Sequence, residues 1–374
     1  MQAKTTPLST EKGAMVLTSV VLLLTMATLV TLYTGQIKSF ENQITLNAQN
    51  RLLAFNSAEA GLMQALGILT IEPYWDGTQL TENLPGQGSF TTAGSWEDIV
   101  RVSATQRLVT LESVGQSPDR LSTVTITEQA LIYPIVANLP DAPLVVAGGI
   151  VAGGHFEVVA NPDGGGEGVP LSVWSDSDVD LLNGSGVTCH QQSFADGHCS
   201  SVTYSQAGAQ GPDILDDDVN FPDDVIEYIF NVPTDQWTLL RNDADEVLSN
   251  CASLGAVSSG IIWVEGHCYI AASAQVGNNT DPVILIVADG DLTLNSGAMI
   301  TGLVLSFRKP ATLTDYDIFI TAGASVTGGV VANHFLGHAN GSLYVVYHRD
   351  VLTQLQKHSA FQHVARVPGS WRDY

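Results

Sequence analysis

Cysteine and histidine are the residue types through which this chain could most readily bind a metal ion or form cross-links. Three of the four cysteines adjoin a histidine, in Cys189-His190, His198-Cys199 and His267-Cys268. Neighbouring residues of a strand point to opposite faces, so such a pair does not easily reach one metal ion, and the spacing differs from that of a zinc finger. In an oxidising compartment two disulfides are the simplest prediction, although four cysteines allow three connectivities. The predicted pairs are Cys189–Cys199 and Cys251–Cys268.

Clustered aspartates are weak candidates for a calcium site, because calcium prefers oxygen ligands. The main cluster comprises Asp213, Asp216, Asp217 and Asp218, followed by Asp223 and Asp224. Asp176, Asp178 and Asp180 have the spacing of the first three EF-hand ligands, but Leu181 replaces the required Gly and Val187 the bidentate Glu. Alternating aspartates in a strand more simply form one solvated face. We therefore predict no metal ion and no other cofactor, with calcium at residues 213–224 as the one alternative.

The pair His334 and His338 has the spacing of two ligands on a helix, but it follows an apolar strand-like run. The glutamate that a zincin motif requires after the first histidine is absent. These residues are expected to be surface or strand-edge histidines.

The sequence does not predict an enzyme. Polysaccharide lyases need clustered acids and a basic group, yet residues 140–350 contain four basic residues, Arg241, Arg308, Lys309 and Arg349. The chain lacks a Gly-x-Ser-x-Gly elbow, a phosphate-binding loop and a dinucleotide fingerprint. The Asp289–Asp291 pair is interpreted as part of a turn.

Composition narrows the partners and the fold class. The formal net charge is −24, from 38 acidic and 14 basic residues among 374. This excess argues against nucleic acid and against anionic lipid surfaces, which both attract Lys and Arg. The chain contains 35 glycines and only 7% aromatic residues, which favours a turn-rich β structure.

The elements that must position these residues begin with a long helix. Residues 14–33 contain neither a charge nor a proline and are long enough to span a bilayer. Gly13 precedes this run, which fits a short leader, residues 1–13, removed while the apolar segment is kept. Beyond Gly35, apolar residues recur every three or four positions from Ile37 to Leu66, so one helix is predicted over residues 14–70.

Short β runs follow this helix, and the predicted class is α+β. Residues 71–142 are expected to form a small sheet that packs on the lower helix. Residues 143–374 are predicted to form a large β-rich head, with an Asp- and Cys-containing insertion at 185–255 and a helical end at 352–367. The near-repeat Gly-Ala-Met-Ile-Thr-Gly at 297–302 and Gly-Ala-Ser-Val-Thr-Gly at 323–328 favours stacked rungs of a parallel β-helix. The alternative is a β-sandwich.

The amino-terminal region resembles that of type IV prepilins. Lys12-Gly13 before the apolar run, and RLLAFNSAEAGL at 51–62, are most similar to minor pilins of the PilX type over residues 8–70. The terminal VPGSWRDY is a shorter similarity. The resemblance implies cleavage after Gly13 by the prepilin peptidase, methylation of Ala14 and insertion into a pilus. Thr18 stands where most pilins have a Glu that neutralises a neighbouring amino terminus.

The missing acid at Thr18 favours a minor subunit with no neighbour above it. We therefore expect a minor pilin that acts in pilus assembly or priming at the tip. The alternatives are a tip adhesin whose head binds a surface or glycan and, less favoured, a polysaccharide-acting enzyme. The expected partners are other major and minor pilins, the prepilin peptidase and the inner-membrane assembly platform. The expected location is the bacterial inner membrane, with the head in the periplasm, and then the pilus.

Overall fold

The structure is a computed structural model that describes residues 10–98, 105–151, 154–164, 168–180, 186–195, 198–200, 203–321, 323–337 and 342–373. Its first element is helix α1, Thr10–Ile71, which has 62 residues and a length of about 93 Å. No proline interrupts this segment, and its apolar first half and amphipathic second half form one continuous helix. The predicted helix is therefore present.

An antiparallel sheet lies against the last third of α1. Its first four strands are β1 (Leu80–Leu84), β2 (Gly88–Asp98), β3 (Arg107–Gln116) and β4 (Thr123–Pro134), paired in that order. Along β4, buried side chains alternate with half-buried ones, because one face packs on the helix and the other is partly covered. These strands form the predicted small β region.

The head follows β4 and consists mainly of short strands. They are β5 (Leu144–Val146), β6 (Ile150–Val151), β7 (His155–Val159), β8 (Val173–Ser175), β9 (Val179–Asp180), β10 (Val187–Cys189), β11 (Phe194–Ala195), β12 (His198–Cys199), β13 (Thr203–Gln206), β14 (Ile214–Leu215), β15 (Glu246–Leu248), β16 (Gly260–Glu265), β17 (Cys268–Ile270), β18 (Gln275–Val276), β19 (Val283–Ala288), β20 (Leu292–Leu294), β21 (Met299–Phe307), β22 (Ile318–Ile320), β23 (Ser325–Ala332) and β24 (Ser342–Tyr347). The helices are α2 (Val225–Phe230), α3 (Trp237–Asn242) and α4 (Arg349–Lys357), with short 3-10 turns at Gln191–Ser193, Thr234–Gln236 and Ser359–Phe361.

Most strands of the head lie in parallel stacks. The first stack runs β15, β16, β19, the second part of β21 and then β23. A second stack contains β17, β20 and β22, and a third pairs β18 with the first part of β21, which in turn pairs with β23. The direction and register of these strands are those that a parallel β-helix requires, and they differ from the antiparallel pairs of the alternative sandwich. The assignment of the whole head as a β-helix stays a prediction.

Two apolar cores lie on opposite sides of the first stack. The inner core combines side chains of all three stacks, for example Leu285, Leu294 and Ile300. The outer core places Ile284 of the same strand β19 against α2 and α4. All six residues of β19 are therefore buried, which explains why its sequence is continuously apolar rather than alternating.

The near-repeat stacks in register. Met299 pairs with Ser325 and Gly302 with Gly328, so the two copies occupy equivalent positions on successive levels. Gly302 has φ 144° and Gly328 has φ 134°, a region that favours glycine. A Cβ on Gly328 would also lie 2.0 Å from the Gly302 carbonyl oxygen. Both glycines are thus required where β21 and β23 pass from one stack to the next.

The carboxyl-terminal residues return to the small sheet. Strands β25 (Gln362–Arg366) and β26 (Arg372–Asp373) both pair antiparallel with β4. The predicted range 143–374 for the head therefore extends too far, because residues 362–373 complete the sheet under α1. Residues 362–366 of the helical end predicted at 352–367 form β25 instead. Helix α4 ends at Lys357. It buries Leu352 and Leu355 in the outer core, beside β21 and β23.

The predicted insertion at 185–255 contributes strands to the large sheet rather than standing apart from it. Strand β10 pairs with β7, β14 with β8 and β15 with β16, all in parallel. Helices α2 and α3 lie in the same range and cover the outer core. Its acidic and cysteine-containing loops are therefore anchored at both ends.

Candidate functional site: the N-terminal helix and its sheet

The first half of α1 is exposed and strongly apolar. One stretch of 18 residues has a mean hydropathy of 2.3 with none of it buried, and the helix is long and apolar enough to cross a membrane. Lys12, Gly13 and Ala14 belong to the helical backbone, and Thr18 lies on the exposed helix surface. The charge-free run around Thr18 contains no carboxylate, as the sequence indicated.

The apolar stripe expected from Ile37 to Leu66 divides into two parts. Phe40 and Ile44 have 64% and 68% of their surface exposed, so the upper part is largely open to its surroundings among the described residues. Ala58 and Leu62 are fully buried in the lower part. The apolar stripe is continuous in the sequence. In the structure its upper part is exposed and its lower part is buried against the sheet.

The face of α1 that contacts the sheet is made largely of small residues. Five apolar side chains are completely buried there: Ala54, Ala58, Leu62, Ala65 and Leu69. Their steps of three and four residues place them on one face, and they form a core with side chains of β3 and β4, including Leu111 and Ile126. Ser57 joins this contact because its hydroxyl donates to the carbonyl of Gln87 at 3.0 Å.

Two glycines allow the helix and sheet to approach closely. A Cβ on Gly115 of β3 would lie 2.1 Å from the carbonyl oxygen of Ala54. A Cβ on Gly61 of α1 would lie 2.4 Å from the Thr92 hydroxyl oxygen and 2.5 Å from that of Ser113. The Thr92 hydroxyl donates to Ser113 at 2.9 Å, and both side chains are buried. Gly61 therefore packs directly on a buried hydroxyl pair.

The match to a known family lies within helix α1. Residues 12–62 match the family model described as PilX N-terminal. This segment of the chain is therefore similar to the N-terminal region of the PilX family. The match ends at Leu62, and so includes Gly61 and the Ala58 contact.

The whole chain was also compared with curated proteins and with solved structures. No curated protein matches the sequence. Among solved structures, the chain is similar to the competence-associated pilin ComZ from Thermus thermophilus, with 10% identity, a TM-score of 0.26, and coverage of 87% of this chain and 97% of that one. A likeness at this TM-score carries no argument about the head.

The four cysteines form the two predicted disulfides. Cys189 pairs with Cys199 across 10 residues of sequence, and Cys251 pairs with Cys268 across 17. The first bond joins β10 to β12, and the second attaches the chain before β16 to β17. Both bonds therefore cross-link parts of the head that connect to its stacked strands.

The acidic calcium candidates have protein partners of their own. Buried Asp213 accepts hydrogen bonds from Thr188 at 2.5 Å and from Ser205 at 2.6 Å. Asp216 accepts from Gln210. The Asp218 carboxylate accepts from the backbone and side chain of Asn220 and from Trp174, and these bonds lower its pKa. These contacts explain three of the acids without an ion, while Asp217 has a left-handed φ of 48°. Calcium at this cluster stays an untested alternative to the prediction of no metal ion.

The neighbouring acids are also used locally. Asp224 caps α2 by accepting from the backbone amides of Ile226 and Glu227, and it accepts two further bonds from Thr234. Burial raises the pKa of Asp224, but these hydrogen bonds outweigh it and the net direction is downward. Asp176 accepts from the amide of Gly148 at 2.6 Å.

His334 is a buried core histidine rather than a surface or edge residue. Its Nδ1 lies 2.9 Å from the Phe335 carbonyl and its Nε2 lies 2.9 Å from the Ser306 hydroxyl. The neutral imidazole satisfies both contacts by donating through Nδ1 and accepting at Nε2. Burial lowers the pKa of His334, which favours this neutral form. His338 lies outside the described residues.

The basic residues considered for lyase chemistry are engaged by carboxylates. The ion pairs are Arg241–Glu265, Lys309–Glu265, Lys309–Asp289, Arg308–Asp315 and Arg349–Asp163. The pairs at Glu265 lower its pKa against the opposing effect of burial. Asp289 thus belongs to an ion-pair network, consistent with its predicted structural role.

The sequence analysis missed two sets of residues. Gly61 and Gly115 contact partners distant in sequence, and their only signal is a glycine inside a predicted helix or strand. His155 and Glu157 lie two residues apart on β7, close to His198. Their signal is the alternation of a strand, which places residues i and i+2 on one face.

Proposed function

We propose that this protein is a minor pilin of a type IV pilus, acting in assembly or priming. The observation that carries this proposal is the division of α1. Its lower part is docked on a sheet, while Phe40, Ile44 and the apolar residues before them expose a continuous surface. Exposed apolar surface of this extent is stabilised by burial, first in a membrane and then among the helices of neighbouring pilins.

The same reasoning supports a position at the tip. An unpaired charge is costly inside an apolar helical bundle, so a pilin in the shaft benefits from a carboxylate that pairs with its neighbour's amino terminus. Thr18 offers no such carboxylate. The large head, which follows β4, adds bulk that a tip position accommodates. The role is structural, and catalysis has no part in it.

Processing and location follow from this role. The prepilin peptidase cleaves after Gly13, next to Lys12, and the new amino terminus at Ala14 is methylated. Before assembly the helix lies in the bacterial inner membrane with the head in the periplasm, in contact with the assembly platform. Afterwards its partners are major and minor pilins.

Immunogold labelling of sheared pili tests the position. Label confined to one end of each filament supports a tip subunit, whereas label spaced along the shaft contradicts it. Deletion tests the role: loss of piliation supports assembly or priming. Normal pili that fail to attach to a surface or glycan would instead favour the adhesin alternative.

Mass spectrometry of the protein from pili tests processing. We expect a mature chain that begins at methylated Ala14, and a variant with a bulky residue at Gly13 should remain a precursor in the membrane. A pilus-associated chain that retains Met1 would contradict the pilin function itself.

A further inference from the structure

A cluster of two histidines and one glutamate lies in the head, away from the pilin helix. His155 Nε2 is 2.5 Å from Glu157 Oε1, and His198 Nδ1 is 3.1 Å from the same oxygen. All three ligand atoms lie within 4.8 Å of one another. Within the described ranges it is the group of three histidine, cysteine or carboxylate side chains close enough to share one ion.

The strands of the head place two of these residues together. His155 and Glu157 alternate on β7, which lies between β24 and β10 in the parallel sheet. Glu157 has only 4% of its surface exposed, while the side chains of His155 and His198 are 35% and 62% exposed. The carboxylate is therefore fixed at the bottom of the cluster, and the imidazoles form its rim towards solvent.

The third residue, His198, lies on a hairpin that a disulfide attaches to β10. His198 belongs to β12, which pairs with β11, and its neighbour Cys199 is bonded to Cys189 of β10. The Cys199 amide donates to Glu157 Oε2 at 3.0 Å. This bond occupies one carboxylate oxygen and leaves Oε1 directed at both imidazoles.

An aromatic ring holds the two imidazoles. The ring of Tyr344, on β24, lies 5.9 Å from the His155 ring and 5.9 Å from the His198 ring. Tyr344 is itself 7% exposed and packs in the inner core. The cluster is thus supported by strands β7, β10, β12 and β24, and it does not depend on a single loop.

We propose that His155, Glu157 and His198 bind a divalent transition-metal ion of the zinc type. Two imidazoles and a carboxylate are a donor set that zinc accepts, whereas calcium and magnesium prefer oxygen ligands alone. Tetrahedral coordination at zinc bond lengths separates donor atoms by about 3.4 Å. The observed separations, 2.5 Å and 3.1 Å from the carboxylate to the two imidazoles and at most 4.8 Å between any two donor atoms, lie on either side of this value, so rotations of the exposed imidazoles complete the site. The fourth position faces solvent and is taken by water.

Metal binding by the full-length protein in detergent micelles tests this proposal. The protein is treated with a chelator, dialysed and titrated with zinc chloride in a calorimeter, and cobalt(II) spectra report the coordination geometry. We expect one ion per chain. His198→Ala and Glu157→Gln should each weaken binding by at least about 100-fold, since loss of an outer partner alone costs roughly 10- to 100-fold.

His267→Ala is the matched control. His267 also adjoins a disulfide cysteine, is exposed and lies 3.3 Å from an Asp291 oxygen, but it is outside the cluster. Its replacement should leave zinc affinity unchanged. Because His198 is exposed, His198→Ala removes a ligand without opening the core. No zinc binding by the wild-type chain, or equal binding by wild type and His198→Ala, would overturn the site and show a hydrogen-bonded cluster only.

A second pair of variants tests the role of the disulfide. Replacing Cys189 and Cys199 together by serine releases β12 and should weaken zinc binding by roughly 10- to 100-fold. Replacing Cys251 and Cys268 by serine removes the other disulfide and should leave the affinity unchanged. Equal affinities in the two double variants would refute the hairpin as the element that delivers His198.

Discussion

The contact of Gly61 with the sheet allows a sharp test, because α1 contains a second glycine without such a contact. Gly67 lies in the same helix, and apart from the backbone of that helix no atom of the described residues lies within 4 Å of the position that a Cβ would take. Alanine is favoured over glycine in a helix by about 1 kcal/mol. Gly67→Ala should therefore be neutral or stabilise the protein by up to about 1 kcal/mol.

Gly61→Ala has the same gain in helix propensity but meets the buried hydroxyl pair. The new Cβ would lie 2.4 Å from the Thr92 hydroxyl oxygen and 2.5 Å from that of Ser113. Either the helix moves outwards by about 1 Å, or the pair separates and loses its hydrogen bond. Overpacking of this kind costs about 1–3 kcal/mol, and an unsatisfied buried hydroxyl costs a similar amount. After the gain in helix propensity is subtracted, we expect a net destabilisation of up to about 2 kcal/mol.

Because the gain in helix propensity is common to both variants, they should differ by the packing cost of about 1–3 kcal/mol in the free energy of opening the sheet, or roughly 5-fold or more in the opening equilibrium. Hydrogen exchange of full-length protein in micelles measures this quantity for the amides of β3. The amides of β19 in the head serve as an internal reference that neither variant should change. Equal exchange of β3 in both variants would refute the argument that Gly61 is required by close packing.

Three further predictions concern the head. Replacing Cys251 and Cys268 by serine should lower the free energy of unfolding by about 3 kcal/mol, measured by urea denaturation, since the bond closes a loop of 17 residues; an unchanged midpoint would contradict this. Gly328→Ala should destabilise the protein by at least about 2 kcal/mol, because Gly328 has a φ of 134° and its Cβ would lie 2.0 Å from the Gly302 carbonyl oxygen. A midpoint of thermal unfolding equal to that of the wild type would disprove it. Burial lowers the pKa of His334, so its contribution to stability is present above about pH 6.5 and is lost as the pH falls towards its lower folded pKa. His334→Asn should flatten the stability profile between pH 7 and 5, roughly the range in which histidine titrates, and an unaltered slope would contradict this assignment.

The sequence predicts local features of this fold well. The charge-free run and the three-to-four periodicity predicted α1, and the repeated Gly-Ala-x-x-Thr-Gly pattern predicted strands that stack in register, as Gly302 and Gly328 do. The disulfide pairs followed from short separations in sequence. In each case the physical cause acts over a few residues or at one fixed period, so it is visible in one chain.

It was harder to predict which face of α1 packs on the sheet. Large apolar residues such as Phe40 and Ile44 dominate the periodic pattern, but the face that docks on the sheet consists mainly of alanines around Gly61. Small residues contribute little to a hydrophobic pattern, although they permit the closest approach of helix and sheet. The sequence therefore predicts the apolar stripe, but only its lower part contacts the sheet.

The cluster of His155, Glu157 and His198 could not be predicted, because the tertiary fold brings these residues together. His155 and Glu157 share a strand, but His198 reaches them through the hairpin that Cys199 fastens to Cys189. The sequence shows the histidine beside the cysteine and favours a disulfide over a metal ion that both would bind. In the structure the cysteine forms a disulfide and, by doing so, positions the histidine.

The closure of the small sheet explains how α1 and its sheet can carry so large a head. Pro134, at the end of β4, lies opposite Gln362, the first residue of β25, and the amide of Ile135 donates to the Phe361 carbonyl at 2.9 Å. The head thus leaves and re-enters the sheet at adjacent points. Because the cost of closing a loop rises only slowly with its length, residues 135–361 can be added there without changing the strands that hold α1. The sheet and helix can then keep their mutual contacts, while the head has its own stacked strands, disulfides and side-chain clusters.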